Sequence, residues 1–415
     1  MNAVTLTSSF PATVQPGIPK LGETPAGWTR APLGQFLREV RRPLKMDDDV
    51  SYKLVTVKRA RGGVVDRGSF LGRDVLVKSQ FKIESGDFLI SKRQIVHGAC
   101  GLVPEELSGS IVSNEYAVLN GKDGIDTTFL NYLANSILFQ QTCFHSSIGV
   151  HVEKMIFKLD RWLKFDFNLP PLSEQRKIAD ILSTWDAAIE KTEALLVTAK
   201  AQKRSLMQSL LTGKRRFPEF DDEAWKEVRL GDVSRSWSGG TPSRSRPEFF
   251  GGSIPWIKSG EVNAARVTST GEFITEQALA ASSASMVKPG NILVAMYGAT
   301  AGVVSIAGID AAINQAILAV EPAHGIEISF LHRSIELAMD KTKRLTQGGQ
   351  PNLNAAIIRA TKLFVPSAAE QIRIAKVIDD AQSEVDQLTV EITKLRSEKK
   401  ALMQQLLTGK RRVVV

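Results

Sequence analysis

Two segments of the chain repeat apolar residues at alternating steps of four and three. This two-in-seven spacing is typical of a coiled-coil seam rather than of the wider stripe of a surface helix. It predicts two long helices, each roughly 60 Å at about 1.5 Å per residue, that pack on each other. The seam residues are Ile178, Leu182, Trp185, Ile189, Leu196, Leu206 and Leu210 in the first segment, and Ile374, Ile378, Val385, Leu388, Ile392, Leu395, Leu402 and Leu406 in the second.

The two segments are copies of one another. The stretch from Glu174 to Arg216 recurs from Glu370 to Arg412 without an insertion, and both copies end in Leu-Leu-Thr-Gly-Lys-Arg-Arg. Within these segments Ser173 is predicted to be an N-cap, and Gly213 and Gly409 are predicted to be left-handed C-caps. At matching seam positions, Lys203 and Lys399 each either extend to solvent or fix the register.

A globular segment precedes each helix. Each begins with the pattern Trp, four residues, Leu-Gly, at Trp28 and at Trp225, but the interiors share almost no residues. Short apolar runs between glycines predict strands at 53–57, 74–77, 88–90 and 110–112, and at 254–257, 291–294 and 302–306. Short helices are predicted at 127–139 and 328–339, with a further helix at 355–361.

The predicted fold class is α+β. Two mixed α/β domains are joined by two long helices that form an antiparallel coiled coil, in an internal pseudo-twofold repeat. The predicted boundaries are a tail at 1–26, a first domain at 27–168, a first spacer helix at 169–216, a second domain at 217–364 and a second spacer helix at 365–415.

Composition narrows the class of protein. The chain carries a formal net charge of +9, and its hydrophobic fraction of 43% is that of a folded protein. No secretory pattern or apolar run long enough for a membrane span is found, so we expect a cytoplasmic protein without membrane contact. Its two cysteines, Cys100 and Cys143, are too few for a disulfide framework.

The motifs of catalysis are missing. No phosphate-binding or dinucleotide-binding glycine loop and no Asn-Pro-Pro-Phe-type tetrapeptide is found, so we predict no catalytic residue, metal or cofactor. An acidic run is formed by Glu219, Asp221, Asp222 and Glu223. These carboxylates could bind the metal ion of a nuclease, although a solvated turn is the favoured interpretation.

Two His and Cys pairs could formally bind zinc. His97 lies near Cys100, and Cys143 lies near His145. Both pairs have apolar surroundings, and the second spacing is tighter than common zinc ligand patterns, so buried structural cysteines are favoured.

Basic and polar residues on loops are the candidate DNA contacts. Cations neutralise phosphates, while Arg, Gln and Asn can form paired hydrogen bonds to base edges. Solvated surface is an equally good interpretation of any one cluster. The candidates are Lys58, Arg59, Arg61, Lys92, Arg93, Gln94, Thr241, Ser243, Arg244, Arg246, Lys258, Gln347, Gln350 and Asn352.

Several motifs carry a family resemblance. They are Pro-Leu-Ser-Glu-Gln-Arg-Lys-Ile-Ala at 171–179 with its second copy at 367–375, Gly-Thr-Pro-Ser at 240–243, Ile-Pro-Trp-Ile-Lys-Ser-Gly-Glu at 254–261 and Met-Tyr-Gly-Ala-Thr at 296–300. From Trp28 onward the chain resembles the specificity subunit of a type I restriction-modification system.

The resemblance implies a division of labour. Each globular segment would be a target recognition domain for one half of a bipartite double-stranded DNA site, and the spacer helices would set the distance between the halves. Two methyltransferase subunits would dock on the assembly, and motor-nuclease subunits would join them. The subunit itself would be non-catalytic. The alternative is a coiled-coil scaffold without specific DNA recognition.

Overall fold

The computed structural model of the chain describes residues 20–345 and 353–414. The chain divides into two compact units. Unit 1 comprises the described residues of Met1–Lys191 and Ile392–Val415, and unit 2 comprises those of Thr192–Glu391. The division falls within both long helices, so each unit contains the beginning of one helix and the end of the other.

The strands and α-helices up to the first long helix begin with ten short strands, and short helices follow only after the tenth. They are β1 (Thr29–Pro32), β2 (Leu37–Glu39), β3 (Pro43–Leu44), β4 (Ser51–Val57), β5 (Val64–Leu71), β6 (Gln80–Lys82), β7 (Phe88–Ser91), β8 (Cys100–Leu102), β9 (Ile111–Ser113), β10 (Tyr116–Gly121), α1 (Thr127–Leu133), α2 (Ile137–His145), β11 (Ser147–Ile148), β12 (Ile156–Phe157), α3 (Leu159–Trp162), β13 (Asp166–Leu169) and the long helix α4 (Leu172–Leu210).

The remaining elements follow a similar plan. They are β14 (Lys226–Arg229), β15 (Ser234–Ser238), β16 (Phe250–Ile257), β17 (Arg266–Val267), β18 (Phe273–Ile274), α5 (Glu276–Ala280), β19 (Ser285–Val287), β20 (Ile292–Ala295), β21 (Val304–Ala307), β22 (Ala311–Ile313), β23 (Ile317–Pro322), α6 (Ile328–Leu345), α7 (Ala355–Arg359), β24 (Lys362–Val365) and the long helix α8 (Ala368–Leu406).

The sheets of the two units share a common core of four strands each, to which unit 1 adds β3 in its second sheet and unit 2 adds β17 in its first. Unit 1 has sheets of order β2-β10-β7-β8 and β3-β6-β9-β4-β5, and unit 2 has sheets of order β15-β23-β20-β21-β17 and β18-β16-β22-β19. A parallel pair lies inside the second sheet of each unit, β4 with β9 and β16 with β22. The first and last strands of each globular segment also pair, β1 with β13 and β14 with β24. The interiors therefore share a fold despite their dissimilar sequences.

Both faces of the central strands are buried. In β7, Phe88 and Ile90 pack toward the helices, while Leu89 packs toward the second sheet. In β20 the same alternation separates Ile292 from Leu293. Because side chains alternate across a strand, a continuous apolar run fills two cores at once. Each globular segment is thus a layer of helices, a sheet and a second sheet.

The long helices pack antiparallel within each unit. In unit 1 the core includes Ile178 and Leu182 near the start of α4 together with Leu406 near the end of α8. In unit 2 it includes Ile374 near the start of α8 together with Leu210 near the end of α4. All fifteen residues assigned to the seam are buried or half-buried. The α+β fold class with paired long helices is confirmed.

Matching polar clusters join each globular segment to the helices. In unit 1, Glu174 of α4 accepts hydrogen bonds from Trp28 Nε1 (3.2 Å) and from Arg412 Nε and Nη2 (2.7 Å each). In unit 2, Glu370 of α8 accepts from Trp225 Nε1 (2.9 Å) and from Arg216 Nε (3.1 Å) and Nη2 (2.8 Å). The repeated Trp, Glu and last Arg of each copy are therefore the members of these clusters.

The ends of the helices follow the prediction in part. Gly213 and Gly409 both have φ of 68°, the left-handed conformation expected of C-cap glycines. The N-cap prediction at Ser173 was wrong, because α4 already begins at Leu172. There the buried amide of Gln175 bonds the carbonyl oxygen of Pro170 (2.9 Å), and the carbonyl oxygen of Pro171 accepts the backbone N–H of Gln175 (2.9 Å).

Three local predictions were also corrected. Residues 74–77 form no strand, because a turn in which Val75 N–H bonds Gly72 O (3.2 Å) leaves Leu76 exposed. The helix predicted at 127–139 is two helices, since Ser136 Oγ accepts the Phe139 N–H (3.2 Å) and caps α2. The helix predicted at 328–339 extends to Leu345, and that predicted at 355–361 ends at Arg359.

Candidate nucleic-acid interface

The basic residues predicted in the first globular segment converge at one edge of its sheets. Lys58, Arg59 and Arg61 follow β4, and Lys92, Arg93 and Gln94 begin the connection from β7 to β8. Backbone hydrogen bonds join the two loops, from Ala60 N–H to His97 O (2.7 Å) and from Arg61 N–H to Gly98 O (2.9 Å). Residues far apart in sequence are thereby brought into one cluster.

The turn that carries Arg61 is strained. Among the described residues, Ala60 (φ 54°) and Arg61 (φ 60°) are the only non-glycine residues with positive φ. Such a conformation costs on the order of 1–3 kcal/mol per residue and persists only where its surroundings hold it, often at binding sites. Here the two hydrogen bonds to the neighbouring loop hold it.

Several of these cations already have acidic partners. Arg59 pairs with Glu153 (2.9 Å), and Arg93 pairs with Glu115 (Nε to Oε2, 2.5 Å), whose hydrogen bond raises the pKa of Arg93. Lys92 Nζ bonds the carbonyl oxygen of Asn114 (2.9 Å). Lys58 and Arg61 make no ion pair within the described residues, so they remain available to phosphate.

The equivalent edge of unit 2 carries fewer cations. Lys258 follows β16, and the connection from β20 to β21 bonds this loop through Thr300 Oγ1 and Ser259 O (2.7 Å). Lys258 Nζ pairs with Glu272 (2.9 Å). Arg244 bonds the same carboxylate, and these contacts, the Arg244 hydrogen bond first, lower the pKa of Glu272.

The Gly-Thr-Pro-Ser turn and its flanking arginines pack closely on unit 2. The Arg244 guanidinium lies 4.4 Å from the ring centroid of Phe250, and that of Arg246 lies 4.2 Å from that of Phe249. Arg246 also pairs with Glu248 (2.8 Å). Ser243 exchanges a hydrogen bond with Ser245 (2.8 Å). These side chains are exposed, but both arginines are already engaged within the unit.

Thr241 of this turn has a neighbour that the sequence did not suggest. Its hydroxyl donates to Gln315 Oε1 (2.6 Å). Asn314 and Gln315 lie in the connection from β22 to β23, and no basic residue or glycine nearby singles them out in the sequence. The predicted contacts Gln347, Gln350 and Asn352 lie outside the described residues.

The open metal interpretations gain no support. Within residues 20–345 and 353–414, no three or more His, Cys, Asp and Glu residues group as metal ligands would. Burial raises the pKa of the Cys100 thiol to about 12 and that of the Cys143 thiol above its usual range. Both cysteines are free and buried, as expected for cysteines that pack as small apolar side chains. None of the helices in the same part of the chain combines the length and the apolar character that a membrane span requires.

Comparison with known proteins identifies the family. The sequence model of the family described as type I restriction modification DNA specificity domain matches residues 48–199 and 222–399, which together make up more than half of the chain. The chain belongs to this family. The resemblance found in the sequence is confirmed.

Individual relatives are more distant. The type I restriction enzyme EcoR124I/EcoR124II specificity subunit of Escherichia coli is 29% identical over 229 residues, so the match spans about half of each protein, 54% of both. The MjaVIII specificity subunit of Methanocaldococcus jannaschii is 22% identical over 94% of both chains. The crystal structure of a type I restriction-modification system S subunit from M. genitalium superposes with a TM-score of 0.59 at 16% identity, covering 94% of this chain and 98% of that one. It supports the shared fold.

Proposed function

We propose that this chain is the DNA-specificity subunit of a type I restriction-modification complex. Each globular segment reads one half of a bipartite DNA site, and the chain itself performs no catalysis. The match of the specificity-domain family to both halves of the chain carries this proposal. The scaffold alternative leaves unexplained why the same edge of both units gathers polar and basic side chains.

The proposed domain boundaries are those of the sequence repeat. Residues 27–168 and 217–364 act as recognition domains, and residues 169–216 and 365–415 act as spacers. Each spacer helix has 39 residues, or about 58 Å at about 1.5 Å per residue. That length is the basis for proposing that the helices set the spacing of the half-sites.

The proposed partners are double-stranded DNA, two methyltransferase subunits and motor-nuclease subunits, in the cytoplasm. The net charge of +9 favours binding to the phosphate backbone. Binding by the chain alone should be weak and depend little on sequence, because it rests on contacts to phosphate. It should fall steeply as salt rises, because phosphate contacts release counterions. Specific binding should require the methyltransferase.

The test is a domain exchange in the complex with the methyltransferase. Residues 28–165 are replaced by the matching segment of a relative, and methylated positions are mapped by sequencing. We expect one half of the methylated sequence to change and the other half to stay. The matched control exchanges residues 225–362 and should change the other half. Methylation without a defined sequence, or a change of both halves by either exchange, would refute the proposal.

A further inference from the structure

One connection reaches the candidate DNA-binding edge in both units. In unit 2 it joins β22 to β23 and contains Asn314, Gln315 and Ala316. β22 runs parallel to β16, with Ile313 beside Ile257, and Asn314 N–H bonds Ile257 O (3.1 Å). The connection therefore starts at the carboxyl end of a parallel pair, directly beside Lys258.

The side chain of Gln315 is exposed and oriented. The Thr241 hydroxyl donates to its Oε1 at 2.6 Å. Its Nε2 makes no hydrogen bond to any described residue. The amide oxygen has two lone pairs, so the bond from Thr241 restrains the position of the amide and leaves one lone pair and both N–H donors unused.

The backbone that precedes Thr241 is closely packed against the core of unit 2. Gly240 N–H bonds Ile313 O (3.1 Å), and the buried Trp256 donates through Nε1 to Gly240 O (3.3 Å). A Cβ at Gly239 would lie 1.8 Å from Ile313 O, so only glycine allows this approach. The two glycines of the turn are thereby anchored to the end of β22, which places Thr241 close to Gln315.

The resulting donor and acceptor pattern matches one base. Adenine presents the N6 amino donor and the N7 acceptor side by side in the major groove, and a glutamine amide pairs with both. An amide fixed before binding loses less conformational entropy on contact. Lys258 beside it has a partly exposed side chain, whose amine pairs with Glu272 (2.9 Å) and would have to leave that carboxylate to bind phosphate.

Unit 1 uses the same connection with different chemistry. There the link from β9 to β10 contains Asn114 and Glu115 and is one residue shorter. Glu115 is exposed in part and held by Arg93 at 2.5 Å, as Gln315 is held by Thr241. A carboxylate accepts from the cytosine N4 amino group, and arginine donates to guanine. The two units thus present different readers at one topological position.

We propose that the connection after the parallel pair is a base-reading element of each unit, and that Gln315, oriented by Thr241, reads an adenine in the half-site of unit 2. This inference rests on the proposed function. Thr241 is a positioning residue, and Gln315 is the residue that contacts the base.

The experiment uses the complex with the methyltransferase and its mapped DNA site. Each adenine of the unit 2 half-site is replaced in turn by 7-deazaadenine, which lacks the N7 acceptor. We expect the parent complex to lose about tenfold in affinity at one adenine. The Q315A complex should show about the same loss on unmodified DNA and no further loss at that adenine. T241V should weaken binding as Q315A does, and T241S should restore it.

The control variant is Q277A, an exposed glutamine of α5 in the same unit, which should bind as the parent does. A half-site without adenine, or a parent complex indifferent to 7-deazaadenine at every position, would overturn the inference without requiring any variant to fold. Defined half-sites with no effect of Q315A would also overturn it while leaving the proposed function intact. A parent complex that methylates no defined sequence would instead count against the proposed function.

Discussion

The buried glutamines at the start of each long helix allow a local and symmetrical test of the structure. Gln371 donates through Nε2 to Pro366 O (3.0 Å) and Gly325 O (3.3 Å), and its Oε1 accepts the Glu327 N–H (2.8 Å). Gln175 makes the same three bonds in unit 1, to Pro170, Gly124 and Asp126. Each side chain is almost fully buried, and each fixes the loop that leads into a helix of its own unit.

Replacing either glutamine by glutamate keeps its shape but removes both donors. The buried carbonyl oxygen of Pro366 or Pro170 then faces a carboxylate without a hydrogen bond, and an unsatisfied buried group costs about 1–3 kcal/mol. The carbonyl oxygen of Gly325 or Gly124 loses its bond as well but is more accessible to solvent. A carboxylate at such a position adds a desolvation cost. We therefore expect the unit that carries the change to lose about 3–5 kcal/mol of its free energy of opening near neutral pH.

Hydrogen exchange followed by mass spectrometry locates the effect. Gln371→Glu should speed exchange at residues 323–335 by at least about a hundredfold, which corresponds to roughly 3 kcal/mol, and leave residues 122–133 unchanged. Gln175→Glu should do the reverse. Gln208→Glu and Gln404→Glu are matched controls, because these glutamines also repeat but are exposed; they should change exchange little. Equal effects of buried and exposed changes would refute the reasoning.

The same variants should depend on pH. Burial raises the pKa of an introduced glutamate above its unfolded value. The part of the destabilisation that comes from the charge is therefore absent below the unfolded pKa, grows as pH rises toward the folded pKa and stays constant above it. A protonated glutamate has one donor where glutamine has two, so a smaller loss that does not depend on pH remains. Exchange near residues 323–335 in Gln371→Glu should slow toward the parent rate as pH is lowered, after correction for intrinsic exchange. A loss independent of pH would show that the carboxylate charge is not its cause.

Three further predictions concern individual side chains, with the replacement of Leu195 by Ala as a control for the third. Tyr132→Phe removes the hydroxyl that donates to Asp186 Oδ2 (2.7 Å), and urea unfolding of unit 1 should show a loss of about 1 kcal/mol. Burial, aided by the Arg333 charge, lowers the pKa of His332 to about 4 from 6.5. The stability of unit 2 should therefore decrease as pH falls from 6.5 to about 4, because the unfolded chain binds a proton that the folded chain does not. His332→Gln should make the stability of unit 2 less dependent on pH. Ile378→Ala, at a buried seam position, should lower the free energy of unfolding by about 2–4 kcal/mol. Replacing the half-exposed Leu195 by Ala should lower it by less than about 0.5 kcal/mol. Equal losses would contradict the assignment of Ile378 to the seam.

The paired helices could be predicted because their signals are local and periodic. A seam of 39-residue helices repeats its pattern many times, and the C-cap glycines Gly213 and Gly409 need only their own backbone conformation. The Ser173 prediction failed for the opposite reason. The start of α4 is fixed by Gln175, whose partner Gly124 lies far away in the sequence, and a local cap pattern contains no information about such a contact.

The globular interiors were harder to predict because their pairings are long-range. Leu54 of β4 pairs with Ile111 of β9, and no sequence pattern indicates that partner. The apolar run at 74–77 looked like a strand, but Leu76 and Val77 are exposed. Hydrophobic runs predict burial, and loops that expose such residues are invisible to that rule.

The candidate interface was predicted in composition but not in geometry. Basic loops at Lys58 and Lys92 stand out in the sequence, and the structure brings them together. Gln315 does not stand out, since it lies in the apolar stretch Ala-Ile-Asn-Gln-Ala-Ile. Only the hydrogen bond from Thr241, 74 residues away in the chain, distinguishes it from any other exposed amide.

The distribution of identities between the two halves has a physical explanation. At the helix junction of each unit, a buried proline carbonyl oxygen needs a hydrogen-bond donor and a tryptophan indole needs an acceptor. Few side chains other than glutamine and glutamate can meet these two needs. At the connection after the parallel pair, Glu115 and Gln315 are accessible to solvent, so exchanging one for another changes stability little. Under the proposed function, the recognised half-site could therefore change through exposed residues without disturbing the junction that holds each unit to the helices. Consequently, Q315A should alter DNA preference and leave hydrogen exchange at residues 323–335 unchanged. Q371E should speed hydrogen exchange at residues 323–335 and leave DNA preference unchanged.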